Sequence, residues 1–192
     1  MGAPNEIQRP WPGYRKYPER LNLAQEVLDT SIERGFGNRP ALIGPGGAIT
    51  YEELNRQVNA LAAKLIELGL KERDTALIVM GNSAEFAVAF LAAVKLGIIP
   101  VLVNSLLSAP ELRMVVEQAQ PDWVFTEASR AAAVRELRRD GLFNHVVCAG
   151  ESESAEISFA SLTHDRGTTV KAIDTAADEP AFIVYTSGTT GK

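Results

Sequence analysis

In the eight consecutive residues Tyr185-Thr-Ser-Gly-Thr-Thr-Gly-Lys192, the six from Thr186 to Gly191 set four serine and threonine hydroxyls beside two glycines. Glycine lets a backbone come close to a ligand and turn its amides inward, and hydroxyls add donors, so the segment reads as a nest for phosphate oxygens. Thr186, Ser187, Gly188, Thr189, Thr190 and Gly191 are the candidate phosphate-binding residues, with Lys192 counted beside them. The Walker A motif does not fit: it needs a glycine five residues ahead of the Gly191-Lys192 pair, and Thr186 stands there. A Gly-x-Gly-x-x-Gly dinucleotide fingerprint fails here and in Gly44-Pro-Gly-Gly47. A flexible Ser/Thr/Gly linker is the bland alternative. The apolar strand pattern of 181–185, read as a buried strand running straight into the loop, argues against it.

Other reactive side chains carry less. His145 and His164 are isolated and suit surface or strand-edge positions better than a metal pair. Cys148 is the single cysteine, which rules out an internal disulfide; its apolar surroundings suit a small core residue better than a nucleophile. Trp11 and Trp123 read as structural. No catalytic residue and no metal ligand is assigned.

Two kinds of element must position the loop. The run 75–80 is apolar without alternation, as in a strand covered on both faces, and 98–103 repeats it. Segments 122–126 and 145–148 read as further strands. Between them the spacing predicts helices over 84–96, over 109–118 behind the capping-box residues Ser108 and Glu111, and over an arginine-rich stretch. Upstream, apolar residues at helical spacing over 23–36 predict a helix. A hairpin turns at 44–47, and a long helix starts at Thr50 with Glu53 as its reciprocal cap and Leu54, Val58, Leu61, Leu65 and Leu68 as its stripe. Four prolines among Trp11, Tyr14 and Tyr17 make residues 1–20 an arm laid over a surface. Segment 151–178 reads as a polar excursion with one short helix near 158–162. Strands alternating with helices of crossover length give an α/β fold, a parallel helix-covered sheet.

Composition bounds the partners. With 46% apolar and 22% charged residues in 192, the chain suits a soluble globular domain. A net charge of −5 offers no field for nucleic acid. Arg130, Arg135, Arg138 and Arg139, interleaved with Glu136 and Asp140, read as a solvated face. In the apolar stretch 86–103, Lys95, Gly97 and Pro100 favour a buried helix and strand over a membrane span. The first residues lack the layout of a secretory signal, so a cytoplasmic setting is expected.

The loop resembles the phosphate-loop signature of the adenylate-forming superfamily, the acyl- and aryl-CoA ligases, luciferases and peptide-synthetase adenylation domains. Asn38-Arg-Pro-Ala-Leu-Ile43, Thr50-Tyr-Glu-Glu-Leu54, Asn82-Ser-Ala-Glu-Phe86 and Leu96-Gly-Ile-Ile-Pro-Val101 resemble its amino-terminal part in order and spacing. Tyr17-Pro-Glu-Arg-Leu-Asn-Leu-Ala24 and Glu26-Val-Leu-Asp29 are similar to benzoate- and 2-aminobenzoate-CoA ligases. The resemblance implies that 21–192 is an incomplete amino-terminal α/β domain of an AMP-binding ligase large domain. The implied reaction consumes ATP with Mg2+, forms acyl-AMP from a small, aromatic carboxylic acid, and passes the acyl group to coenzyme A. In the family pattern Lys192 fills the variable position after the glycine, and the better-defined lysine comes two residues later. The chain is expected to be an amino-terminal fragment, inactive alone, whose exposed surface would favour self-association. The alternative is a non-catalytic nucleotide-binding or assembly module of the same fold.

Overall fold

The computed structural model describes residues 17–150, 156–164 and 167–185. An antiparallel hairpin of β1 (Pro40–Gly44) and β2 (Gly47–Thr50) opens the fold. Its turn needs Gly47, whose φ of +103° lies in the left-handed region that side-chain-bearing residues avoid. Helix α1 (Tyr51–Glu67) follows directly, capped by Thr50 Oγ1, which accepts from the Glu53 amide at 3.2 Å. The reciprocal half of that predicted cap is not formed. Gln57 Nε2 donates to the Glu53 carboxylate at 2.7 Å and Arg56 pairs with it, donors three and four residues on along the same helix face. At Ser108 the reciprocal bond is present: the Ser108 amide donates to Glu111 Oε2 at 2.8 Å.

From there the chain alternates as expected: β3 (Thr75–Val79), α2 (Ala84–Lys95), β4 (Ile99–Leu102), α3 (Ala109–Ala119), β5 (Trp123–Glu127), α4 (Ala128–Arg139) and β6 (His145–Ala149). Then come β7 (Ile157–Ser158), α5 (Phe159–Leu162) and β8 (Ile183–Val184). The sheet order is β7-β6-β5-β3-β4-β8, with every neighbouring pair parallel. Alternate residues of each strand point to opposite faces, so one strand feeds two cores. Ala76, Ile78, Phe125 and Val147 pack with α1 and α2. Leu77, Val79, Val101, Val124 and Val146 pack with α3 and α4. The absence of alternation in 75–80 follows from this: both faces are covered.

Several expectations change. The 23–36 helix winds as two π-type stretches, Gln25–Asp29 and Ile32–Phe36. Bonds of the i→i+5 kind break the 3.6-residue stripe, so Leu28 is buried and Val27 faces out. Leu68 lies past the last turn of α1 and is exposed, and Leu70 takes the buried place. The polar excursion contributes β7, which pairs with β6. The arginine-rich face is only partly solvated: Arg135 grips Glu156, whose side chain is 1% exposed, through Nε at 2.7 Å and Nη2 at 3.1 Å. A two-pronged guanidinium–carboxylate pair here fastens α4 to the residue before β7. The strand at 181–185 is an edge strand, with no neighbour beyond it among the described residues, and Phe182, Ile183 and Val184 are exposed.

Lys95 is buried at 1% exposure, and its Nζ donates to Asp29 Oδ1 at 3.0 Å. Asn22 Nδ2 donates to the carbonyls of Val94 and Ile173, both at 3.0 Å. The bond to Val94 satisfies a carbonyl at the carboxyl end of α2, where helix carbonyls lack intrahelical partners, and the Lys95–Asp29 pair ties the first helical segment to that end.

Candidate nucleotide site

The strand that precedes the predicted phosphate loop in the sequence lies at one edge of the sheet. Ile183 pairs with Val101 and Val184 with Leu102 in parallel register, and the Tyr185 amide donates to the Leu102 carbonyl at 3.0 Å. Tyr185 packs against the core shared by α3 and α4. Thr186, Ser187, Gly188, Thr189, Thr190, Gly191 and Lys192 lie outside the described residues. They begin at the carboxyl end of β8. In an all-parallel sheet this crest also carries Gly81 after β3, Asn104 after β4 and Glu127 at the end of β5.

Helix α2 covers one face, whereas α3 and α4 cover the other. The chain leaving β3 therefore turns to the side opposite those leaving its neighbours β4 and β5. Such a switch point opens a crevice at the carboxyl ends, where open α/β sheets bind ligands. The described side of the crevice is closely tied. Glu127 Oε2 accepts from the Gly81 amide at 3.1 Å, and Glu127 Oε1 accepts from Ser129 Oγ at 2.7 Å. A Cβ at position 81 would stand 3.6 Å from Glu127 Oε2, in contact with the carboxylate that the amide reaches. Arg130 Nη2 donates to the Leu107 carbonyl at 2.6 Å, so α4 also holds the loop that leaves β4. Arg130 Nε is buried without a hydrogen-bond partner among the described residues. Neither Glu127 nor the tying role of Arg130 was visible in the sequence. Their partners are 46 and 23 residues away, and no motif marks them.

His145 does not join this crest. It starts β6 at the opposite end, its ring stacked 4.2 Å from Trp123 and its Nε2 3.8 Å from Asp122. His164 is exposed. Among the described residues, no group of three or more His, Cys, Asp or Glu could hold a metal ion. Cys148 is a core residue, and burial, followed by the Glu156 charge, pushes its thiol above the ordinary range. No helix among the described residues is long and apolar enough to cross a membrane.

Known proteins share both the sequence and this geometry. A benzoate–CoA ligase of Thauera aromatica is 30% identical over 92% of this chain and 33% of its own length. A 4-hydroxybenzoate–CoA/benzoate–CoA ligase of Rhodopseudomonas palustris is 28% identical over 88% of this chain and 32% of its own. The chain thus spans about a third of the length of the curated relatives it matches. The crystal structure of an anthranilate CoA ligase with anthranoyl-AMP superimposes with a TM-score of 0.84 at 25% identity, covering 91% of this chain and 34% of that one. Its fold agrees with the parallel, helix-flanked sheet of the amino-terminal part of adenylate-forming ligases. The profile of AMP-binding enzymes matches residues 29–192, and with the phosphate-loop sequence and the sheet that presents it, this chain belongs to the AMP-binding enzyme family.

Proposed function

We propose that this chain is the ATP-phosphate-binding, amino-terminal part of an acid–thiol ligase that activates an aromatic carboxylic acid as acyl-AMP and transfers it to coenzyme A. The observation that supports the reading is the parallel pairing of Ile183 and Val184 with β4, which brings the chain to the carboxyl crest at Tyr185, just before the sequence Thr-Ser-Gly-Thr-Thr-Gly-Lys, in a chain whose relatives are named for aryl-CoA ligation. Thr186, Ser187, Gly188, Thr189, Thr190 and Gly191 grip the β- and γ-phosphates through amides and hydroxyls. Donors fixed before the reaction stabilise charge as it spreads over phosphoryl oxygens, without reorganising during the step. Mg2+, a cation that keeps much of its shell as water and phosphate oxygen, would sit alongside the bound phosphates. That ion supplies positive charge against the polyphosphate. Lys192 stands at the edge of the nest and is not assigned the main cationic role.

The test is acid-dependent exchange of pyrophosphate into ATP by the longer protein that contains this chain, with benzoate, 2-aminobenzoate, 4-hydroxybenzoate and acetate offered separately. Exchange with the aromatic acids, abolished by Ser187→Ala with Thr189→Ala, is the expected result; exchange with acetate alone would sink the aromatic assignment. The 192 residues alone are expected to release no pyrophosphate in response to acid, because they span about a third of the relatives' length. That same share supports a second reading, a non-catalytic nucleotide-binding module, which would show as ATP binding without turnover in the longer protein.

A further inference from the structure

A cavity of about 410 Å3 opens under the amino ends of β4 and β8, at the opposite end of the sheet from the crest. Three stretches of chain wall it with apolar side chains: Leu21 and Leu23, then Val94 and Ile98 where α2 turns into β4, then Pro180 and Ala181 on the way into β8. Its frame is closely bonded. The Leu21 amide donates to the Thr175 carbonyl at 2.9 Å, Thr175 Oγ1 donates to the Leu21 carbonyl at 2.8 Å, and the Ile173 amide donates to the Lys95 carbonyl at 2.9 Å. Protein interiors are close-packed, with few voids larger than a water molecule, and clefts of roughly 300–1,000 Å3 are the size that takes a small ligand.

The charged residues that line it are Glu72, Arg73 and Glu179, and the exposure of the first two puts them at its mouth. Arg73 Nη2 donates to Glu179 Oε1 at 2.5 Å, and Glu179 Oε2 accepts from the Ala176 amide at 3.2 Å. Both oxygens of Glu179 are thus engaged, whereas the Glu72 carboxylate has no hydrogen-bond or ion-pair partner among the described residues. One guanidinium against two carboxylates leaves the mouth negative. The backbone is shaped for this arrangement. Arg73 has a φ of +70°, a left-handed conformation that a residue with a side chain keeps only where its surroundings hold it, and its amide donates to the Gly97 carbonyl at 2.8 Å. Gly97, at +66°, lies so near Glu72 that a Cβ there would stand 2.9 Å from Glu72 Cγ, so glycine is what lets the Glu72 side chain cross the backbone here.

We propose that the cavity binds a small apolar amine, its hydrocarbon body against Leu21, Val94, Ile98 and Ala181 and its ammonium facing Glu72. Removing the body from water supplies the attraction. The mouth selects the head: an ammonium is drawn to the unpaired carboxylate, and an acid of the same shape is repelled. The site is therefore unsuited to carboxylic acids and polyphosphates, and it stands whatever ligand the crest takes. Pro180 and Ala181 run directly into β8, so an occupant packs against the root of that short edge strand and reduces its local opening.

The test is a titration of the isotope-labelled full chain with cyclohexylamine and, separately, with cyclohexanecarboxylate, followed by amide resonances. Cyclohexylamine should shift 94–99 and 175–181 saturably, and the acid should bind at least about tenfold more weakly. Glu72→Gln, at an exposed position, should weaken the amine several-fold with the circular dichroism unchanged. Ala181→Phe, which fills the space, should abolish amine binding. At saturation the amine should also slow exchange of the Tyr185 amide, which donates to the Leu102 carbonyl at the end of β8. Equal affinity for the acid, an amine affinity unmoved by Glu72→Gln, or no saturable shift in those two stretches would each overturn the proposal. Unaltered Tyr185 exchange would overturn its connection to β8.

Discussion

Strands β3 and β8 end on the same crest and run in the same direction, but they are held very differently. β3 is paired on both sides, and Ala76, Leu77, Ile78 and Val79 are all buried. Among the described residues β8 pairs two residues with β4 and none with any other strand, and its Ile183 and Val184 are 41% and 52% exposed. The middle of the sheet therefore holds the fold together, whereas the candidate phosphate loop hangs from a short edge strand. Binding elements are commonly drawn from the less stable parts of a structure, since they must admit and release a ligand. If the division holds, substitutions in the middle change stability, and substitutions at the edge change ligand binding with a smaller loss of stability.

The largest effect should come from Phe125, which is fully buried in β5 next to β3. Phe125→Ala removes an aromatic side chain that backbone held by strands on both sides cannot collapse around, at a cost of about 3–5 kcal/mol. Urea unfolding should show it as a lower midpoint at similar slope. A loss under about 1 kcal/mol would mean that the middle is less tightly packed than its burial indicates.

Next comes Lys95. Removing one partner of a fully buried ion pair costs about 3–5 kcal/mol. Asp29 is 28% exposed, and water can compensate its charge in part, so Lys95→Ala should cost nearer about 2 kcal/mol. Lys95→Met keeps the volume and should recover some of the loss. If it recovers none, the charge itself, and not the packing of its stem, holds α2 to the first helical segment.

What the sequence made legible follows the same division. The strands 75–80, 98–103, 122–126 and 145–148 could be read because a strand buried on both faces leaves an unbroken apolar run, and because glycines, prolines and caps mark where helices stop. Lys95 was legible only as an interruption of an apolar stretch. Its meaning depends on Asp29, 66 residues earlier, and no local pattern encodes such a pairing. Arg135 failed for the same reason: on a helix rich in both signs it resembles its solvated neighbours until Glu156 is seen against it. β8 was read as buried because its residues are apolar, yet apolar content does not say how many neighbours a strand has in the sheet. The candidate site was legible in its chemistry, through the residue types of 186–192. Its supports, Glu127 on the Gly81 amide and Arg130 on the Leu107 carbonyl, were not, since each joins loops from different strands.

The edge offers the sharper test. Tyr185→Pro removes the amide that donates to the Leu102 carbonyl, a bond whose net contribution to stability is about 0.5–1.5 kcal/mol. Loss of the ring's packing on the α3–α4 core adds to that cost, so the unfolding midpoint should fall, but by less than for Phe125→Ala. ATP affinity, measured by titration calorimetry, should fall at least about tenfold, because 1.4 kcal/mol of misplacement at the loop already amounts to that factor. A large stability loss with unchanged affinity would reverse the proposed division between middle and edge.

The smallest effect belongs to the cap that joins the two regions. Ser108 starts α3 just beyond the carboxyl end of β4, and its hydroxyl and amide both donate to Glu111, holding that carboxyl below its ordinary value of 4.5. A carboxylate whose pKa is lowered by folding binds fewer protons in the native state than in the unfolded one. Its contribution is therefore present above 4.5 and is lost as pH falls through the lowered native value. Glu111→Gln should leave stability almost unchanged in strong acid, lower it slightly at neutral pH, and so flatten the acid limb of stability against pH. The check is urea unfolding of both proteins across that range. Parallel acid limbs would show that the Ser108–Glu111 bonds form without favouring the folded state, and the crest end of α3 would then be held by Leu112, Val115 and Val116 packing on the middle of the sheet alone.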